Sequence, residues 1–186
     1  MNKLFFITRI ITFFGSALRC FWEFVVCRMF KLPIEDIRCF KKGELCGHIE
    51  HELIGKKAPA FMMAFLPFFL NFMLGLLLIM YASYIIFYMG VYTQIAAYLS
   101  FVLGTSLWCN MFPSYEDLLS LKSTVYGGKN VFLKIILAPF TAVVFVGTQL
   151  ERLSLTLITT AAAAFVLPFA TESLIPALME IKKLFF

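Results

Sequence analysis

The chain has 186 residues, of which 61% are hydrophobic, 17% are aromatic and only 15% are charged, and its mean hydropathy is +0.89. A soluble globular domain does not carry so large an apolar share, so the composition excludes an ordinary water-soluble protein and favours a membrane protein. The net charge of +5 does not indicate nucleic acid as a partner, because the basic residues flank apolar blocks and form no single patch with interleaved aromatic residues.

The first apolar block covers residues 4–30 and contains four charged side chains: Arg9, Arg19, Glu23 and Arg28. It predicts an N-terminal helix that is amphipathic in the interface, re-entrant or membrane-spanning. Arg19 and Glu23 are four residues apart, share a helix face and are expected to form a structural ion pair. A carboxyl group in an apolar helix is also suited to moving protons, which makes Glu23 the candidate catalytic residue.

The main polar segment, 31–57, follows, and its Lys and Arg content predicts that it is cytoplasmic. His48 and His51 lie here, and with Cys39 and Cys46 they form Cys-x6-Cys-x-His-x2-His. These residue types bind zinc, but the spacing matches no standard zinc module, so a solvated loop is the simpler interpretation. The five cysteines of the chain are an odd number and predict reduced thiols rather than a disulfide framework.

Residues 58–112 contain no charged side chain, and this length suits two transmembrane helices joined by a turn near Gly90. The cytoplasmic loop 113–130 comes next. Within it Ser114 is the predicted N-cap of a helix, with Glu116 and Asp117 in the first turn, where they suit the helix dipole.

Two further apolar blocks, 131–147 and 153–170, predict two more transmembrane helices joined by a short turn at 148–152, before a cytoplasmic tail at 171–186. Crossing from the cytoplasmic segment 31–57 places Gly90 outside. The predicted fold is therefore all-α: a polytopic helix bundle with four clear transmembrane helices and the N-terminal helix. Residues 1–186 are expected to form a single domain in the cell (inner) membrane.

Four stretches in order resemble one family. Residues 21–31, Phe-Trp-Glu-Phe-Val-Val-Cys-Arg-Met-Phe-Lys, and residues 47–51, Gly-His-Ile-Glu-His, are followed by Pro67 to Asn71 and by Pro-Ser-Tyr-Glu-Asp ending at Asp117. They resemble the Leu-His-Glu-x-x-His-Ala-x-x-Ala-Arg helix, the Gly-x-Val-x-His strand, the Pro-x-x-x-Asn helix and the Pro-Ser-x-x-Asp element of small site-2-protease-like membrane zinc peptidases. The resemblance covers about residues 15 to 120.

In that family the two helical histidines bind zinc and the glutamate between them activates water. The aspartate after Pro-Ser looks like the third zinc ligand. The resemblance implies that Glu23 is the base and Asp117 a metal ligand, with His48 and His51 as displaced ligands. Trp22 and Val26, however, stand where the family has its zinc histidines. The chain thus resembles a degenerate member of the family, for which no cofactor is expected and bound zinc is the alternative.

The function predicted from these observations is a non-catalytic scaffold or partner-binding subunit that contacts the lipid bilayer and another membrane protein. Two alternatives remain open: an active intramembrane metallopeptidase, and a small transporter or channel subunit in which Arg19 and Glu23 line a polar path. Metal content distinguishes the first alternative from the scaffold, and ion or substrate flux distinguishes the second.

Overall fold

A computed structural model describes the chain at residues 3–37, 39, 47–127, 131–153, 155–164 and 166–167. These residues are mostly helical, which confirms the all-α class. The N-terminal block forms two helices, α1 (Lys3–Ile11) and α2 (Phe13–Phe30). Helix α2 ends where Lys31 adopts the left-handed conformation with φ 52°, and Pro33 follows, which cannot continue a helix.

A small antiparallel hairpin follows α2. Its strands are β1 (Ile34–Ile37) and β2 (Ile49–His51), with Ile34 opposite His51 and Ile37 opposite Ile49. The strand β2 falls at the stretch that resembles the family's Gly-x-Val-x-His strand. The hairpin is therefore the one β-sheet in the described part of the chain.

The expectation of reduced cysteines is wrong in this structure. Cys20 of α2 and Cys39, just after β1, form a disulfide with 5.8 Å between their Cα atoms. The pairing is invisible in the sequence, because it depends on the hairpin folding back along α2. Cys27 and Cys109 are free and buried, and Cys46 lies outside the described residues.

The charge-free segment forms two helices, as predicted. Helix α3 (Lys57–Ser83) continues into a π-helical turn, Tyr84–Tyr88, and α4 covers Ile95–Cys109. Between them Gly90 has φ 65°, a backbone conformation that glycine adopts at no steric cost, so the break lies where the sequence placed it.

Helix α5 (Tyr115–Tyr126) begins at the predicted N-cap, Ser114, in a full capping box with Asp117. Helix α6 (Val131–Arg152) then runs through the segment 148–152, so the predicted turn there is wrong. Its Thr148 hydroxyl donates to the Val144 carbonyl within the helix, and no proline or glycine interrupts this stretch. The chain turns only after Arg152, and residues 156–164 are again helical.

The structure contains fewer candidate membrane spans than the four predicted. Among the described residues, two helices are long and apolar enough to cross a bilayer: Lys57–Phe87 and Lys134–Glu151. Helix α4, with 15 residues, is about 22 Å long and falls short of a hydrocarbon core of about 30 Å. Of the predicted fourth span only part is described, and the cytoplasmic tail at 171–186 lies outside the described residues.

Helix α2 sits at the centre of the contacts that matter for the site. Its buried face packs, with the hairpin and the start of α3, around a core that includes Val26, Cys27, Ile49 and Met63. On the other side of α3, the ring of Phe140 in α6 makes edge-to-face contacts with Phe65 and Phe68. Helix α3 thus packs against α2 and the hairpin on one side and against α6 on the other.

Candidate functional site

Three buried side chains from three separate elements converge between α2, the hairpin and α5. Glu23, His48 and Asp117 each offer a ligand atom, and these atoms lie within 4.8 Å of one another. His48 directly precedes β2, and Asp117 lies in the first turn of α5. No local sequence pattern links the three, since they are brought together only by packing.

Both oxygens of the Glu23 carboxylate accept hydrogen bonds. Its Oε1 accepts from Arg19 Nε at 3.0 Å and lies 2.8 Å from His48 Nδ1, and its Oε2 accepts from the backbone N–H of Ile49 at 2.8 Å. A carboxylate can only accept, so His48 carries its proton on Nδ1 in this pair. The residues Arg19 and Glu23, which the sequence expected to pair, therefore lie in direct contact, and two donors from the hairpin complete the arrangement.

His48 is neutral in this environment. It is buried, and burial together with the positive charge of Arg19 lowers its pKa to about 4, against the opposing effect of Glu23. Its second ring nitrogen, Nε2, lies 3.4 Å from Arg9 Nη2 and 3.6 Å from Glu151 Oε1. His48 thus links the carboxylate of α2 to a second group of charges.

The Asp117 carboxylate caps the start of α5 and also contacts His51 of the hairpin. Its Oδ2 accepts from the backbone N–H of Ser114 at 3.2 Å and from the Ser114 hydroxyl at 2.7 Å. Its Oδ1 lies 2.9 Å from His51 Nε2. Because the other His51 nitrogen, Nδ1, donates to the Glu52 carbonyl at 2.9 Å, both ring nitrogens face acceptors, and the ring must carry two protons.

The pKa of His51 agrees with that geometry. Burial alone would lower it, but the hydrogen bond to Asp117 and the charge of that carboxylate together raise the pKa to about 9. His51 is therefore an imidazolium paired with Asp117 at neutral pH, whereas His48 is neutral.

A second set of buried charges extends the site toward α1 and α6. Arg9 contacts both Asn110 and Glu151, and Arg19 Nη1 lies 3.4 Å from Glu151 Oε2. Asn110 also donates to Ser106 and Thr12, which joins the end of α4 to the junction of α1 and α2. Arginines and carboxylates alternate through this network, as buried charges must if they are to be compensated.

The sequence prediction included part of this set and missed the rest. It named Glu23, His48, His51, Asp117 and Arg19, all of which the structure places in the cluster. Glu151 was assigned to a short turn between two transmembrane helices, and Arg9 and Asn110 were given no role. An ionisable residue inside an apolar block is the only signal that pointed to Arg9, and nothing local marked Glu151.

The residues at the family's zinc-histidine positions cannot bind metal. Val26 is fully buried in the apolar core beside the hairpin, and the Trp22 indole N–H is buried with no hydrogen-bond partner among the described residues. Cys39 is in the disulfide, which removes it from the Cys/His set considered as zinc ligands. The zinc arrangement of the family therefore does not fit this chain.

No protein family, curated protein or solved structure matches the chain. The resemblance to membrane zinc peptidases rests on the residues quoted from the sequence alone.

Proposed function

We propose that the protein is a non-catalytic membrane protein, a degenerate relative of membrane zinc peptidases, that binds another membrane protein through its helix faces. The observation that carries this proposal is the state of Glu23. The carboxylate that would activate water accepts three hydrogen bonds, one of them from the guanidinium of Arg19. A carboxylate that is ion-paired and hydrogen-bonded in this way is not free to activate water. Because Trp22 and Val26 stand where the family has its zinc histidines, the site supports a structural ion pair rather than a hydrolytic centre.

Membrane insertion is supported by the exposure of apolar residues. Of the most apolar 18 residues of Lys57–Phe87, only 33% are buried inside the protein. Of the 18 residues of Lys134–Glu151, only 22% are buried. The core helix of a soluble protein would bury most of its apolar surface. Outward-facing residues such as Leu77 at 64% and Ile135 at 67% exposure suit contact with lipid or with a partner helix.

The sidedness we propose follows the positive-inside rule. The segment 31–57 and the C-terminus face the cytoplasm, and Gly90 faces outside, in the cell (inner) membrane.

The experiment is to measure metal and proteolysis, with a restored site as the positive control. The wild-type protein in detergent is expected to hold well under one zinc per chain and to cleave no membrane protein added to it. The double variant Trp22→His, Val26→His supplies the two ligands that the family uses and should gain zinc. Stoichiometric zinc in the wild type, with cleavage that Glu23→Gln abolishes, would overturn the proposal.

A second candidate, a displaced metal site, rests on one specific observation. The ligand atoms of Glu23, His48 and Asp117 lie within 4.8 Å of one another, and nitrogen and oxygen donors of this kind suit zinc. Against it, the metal would have to displace Arg19 from Glu23 and lie beside a buried positive charge. A chelator-sensitive zinc that is lost in His48→Ala, but retained in the neighbouring exposed variant Glu52→Ala, would establish this site.

A further inference from the structure

We propose that the Cys20–Cys39 disulfide is a redox latch that holds the histidine hairpin onto α2. The latch is open in the resting cytoplasm and closes when the thiol pool becomes oxidised. The inference rests on the cytoplasmic sidedness proposed above, because disulfides in that compartment are transient and redox-sensing rather than structural.

The disulfide and the site share one side of α2. Cys20 lies three residues before Glu23, so the two side chains are neighbours on the helix surface. Cys39 follows β1, and β1 pairs with β2, whose Ile49 N–H bonds Glu23. The covalent link and the hydrogen bond therefore hold opposite strands of the hairpin to the same stretch of helix.

The two histidines depend on that attachment. His48 and His51 flank Ile49 and reach carboxylates on two different helices, Glu23 and Asp117. When the disulfide opens, the hairpin keeps only its noncovalent contacts, and the segment it carries is freer to leave both carboxylates. Latch closure thus assembles the cluster, and latch opening loosens it.

The disulfide is chemically accessible from one side. Cys20 is 2% exposed, whereas Cys39 is partly exposed, and the pair lines an open cavity of about 240 Å³ with Phe21, Phe24 and Ile37. Cys39 is therefore the sulfur that exchanges with small thiols, and Cys20 is the one that resolves.

The exchange is balanced with a low-molecular-weight disulfide, RSSR, as oxidant. The Cys39 thiolate attacks one sulfur of RSSR, which breaks the S–S bond and releases RSH after protonation. The Cys20 thiolate then attacks the Cys39 sulfur of the mixed disulfide and releases the second RSH. Two protein thiols are oxidised, RSSR is reduced to two RSH, and the reverse sequence with RSH opens the latch.

The first test counts thiols in cells that produce the full chain. After acid quenching, alkylation with a maleimide polymer should modify all five cysteines of the wild type at rest and two fewer after a brief diamide treatment. Cys39→Ser should show no diamide-dependent loss. The control, Cys27→Ser, removes a free buried thiol and should lose the same two sites as the wild type.

The second test asks whether the latch controls the hairpin. In purified protein, amide hydrogen exchange of segment 47–52 should become several-fold faster after reduction, and Cys39→Ser should exchange at the fast rate with or without reductant. An unchanged exchange rate would overturn the latch.

A pair that is oxidised at rest would also overturn it, and labelling with an impermeant reagent then separates the causes. Labelling of segment 31–57 from outside would show that the proposed sidedness has failed and that the bond is structural. Labelling only from the cytoplasm would mean that the latch alone has failed. The measurements of zinc content and proteolysis test the proposed non-catalytic role separately, and neither labelling result changes their outcome.

Discussion

At the scale of single residues, Glu23 is the position where a structural role and a catalytic one make opposite demands. The structural role needs Arg19 beside it, because a buried guanidinium without a counter-ion is costly. A catalytic role needs an oxygen free to take a proton from water, and both Glu23 oxygens already accept hydrogen bonds.

Substitution of Glu23 therefore tests the ion pair through stability. We expect Glu23→Ala to lower the free energy of unfolding by about 3–5 kcal/mol, since it removes the nearest counter-ion of the buried Arg19 and leaves only the longer contact with Glu151. Glu23→Gln should cost less, because its amide oxygen can still accept from Ile49. The double change Arg19→Leu, Glu23→Leu should recover part of the loss. Recovery is partial because Arg19 also contacts Glu151.

Thermal and denaturant unfolding in detergent measure these differences. The matched control is Glu35→Ala, an exposed carboxylate on β1, which should stay within about 0.5 kcal/mol of wild type. Near-wild-type stability in all Glu23 variants would contradict the ion-pair role and shift the weight to chemistry at this residue.

The imidazolium of His51 predicts a pH dependence of stability. Its pKa is raised from about 6.5 to about 9 on folding, so its contribution is complete below pH 6.5 and is lost as the pH rises through 9. We expect chelator-treated wild-type protein to lose stability between pH 6.5 and 9 relative to His51→Gln. Parallel stability curves for the two proteins across this window would show that His51 is not charged.

At the scale of elements, α3 and α4 pack with their backbones in contact. A Cβ atom added to Gly104 would lie 2.7 Å from Ile79 Cγ1 and 2.9 Å from the Gly75 carbonyl oxygen, and one added to Gly75 would lie 2.5 Å from Trp108 Cδ1. Small residues at a helix crossing of this kind allow close packing in a membrane, where lipid offers no hydrophobic drive for helix association.

A larger side chain at this crossing should separate the two helices. We expect Gly104→Val to destabilise the protein by about 1–3 kcal/mol or more, because the overlap includes the Gly75 carbonyl oxygen, which no rotamer change can move. Gly55→Val is the control, since a Cβ there would meet no atom within 4 Å. Equal melting temperatures of the two variants would argue against the close crossing.

At the scale of the whole molecule, the proposed orientation in the membrane links the topology of the helices to the redox state of the hairpin. The Lys and Arg residues of 31–57 favour a cytoplasmic location for this segment. Because the Cys20–Cys39 disulfide attaches to the same segment, the compartment determines whether that bond is reduced or oxidised. One measurement of sidedness therefore tests both the proposed topology and the compartment of the disulfide.

Single cysteines placed near Lys42, Lys122 and Gly90, in a background without other reactive thiols, provide that measurement. An impermeant maleimide is expected to label the Gly90 position in intact cells, and the other two only after permeabilisation. Labelling of the Lys42 and Gly90 positions from the same face would show that Lys57–Phe87 does not cross the membrane.

The sequence by itself determined the features that depend on near neighbours. The helical class and the break at Gly90 follow from apolar block length and glycine conformation, and the start of α5 at Ser114 follows from a capping box of four consecutive residues. The Arg19–Glu23 contact follows from four-residue spacing on one helix.

Only the tertiary structure decided which distant residues complete the site. Arg9 meets Glu151 across 142 positions, and His51 meets Asp117 across 66, and no periodic pattern encodes such separations. The same holds for the Cys20–Cys39 bond, which exists because β1 folds back beside α2. The physical reason is that burial of a charge requires a partner but does not specify where along the chain that partner lies; packing of the helices makes that choice.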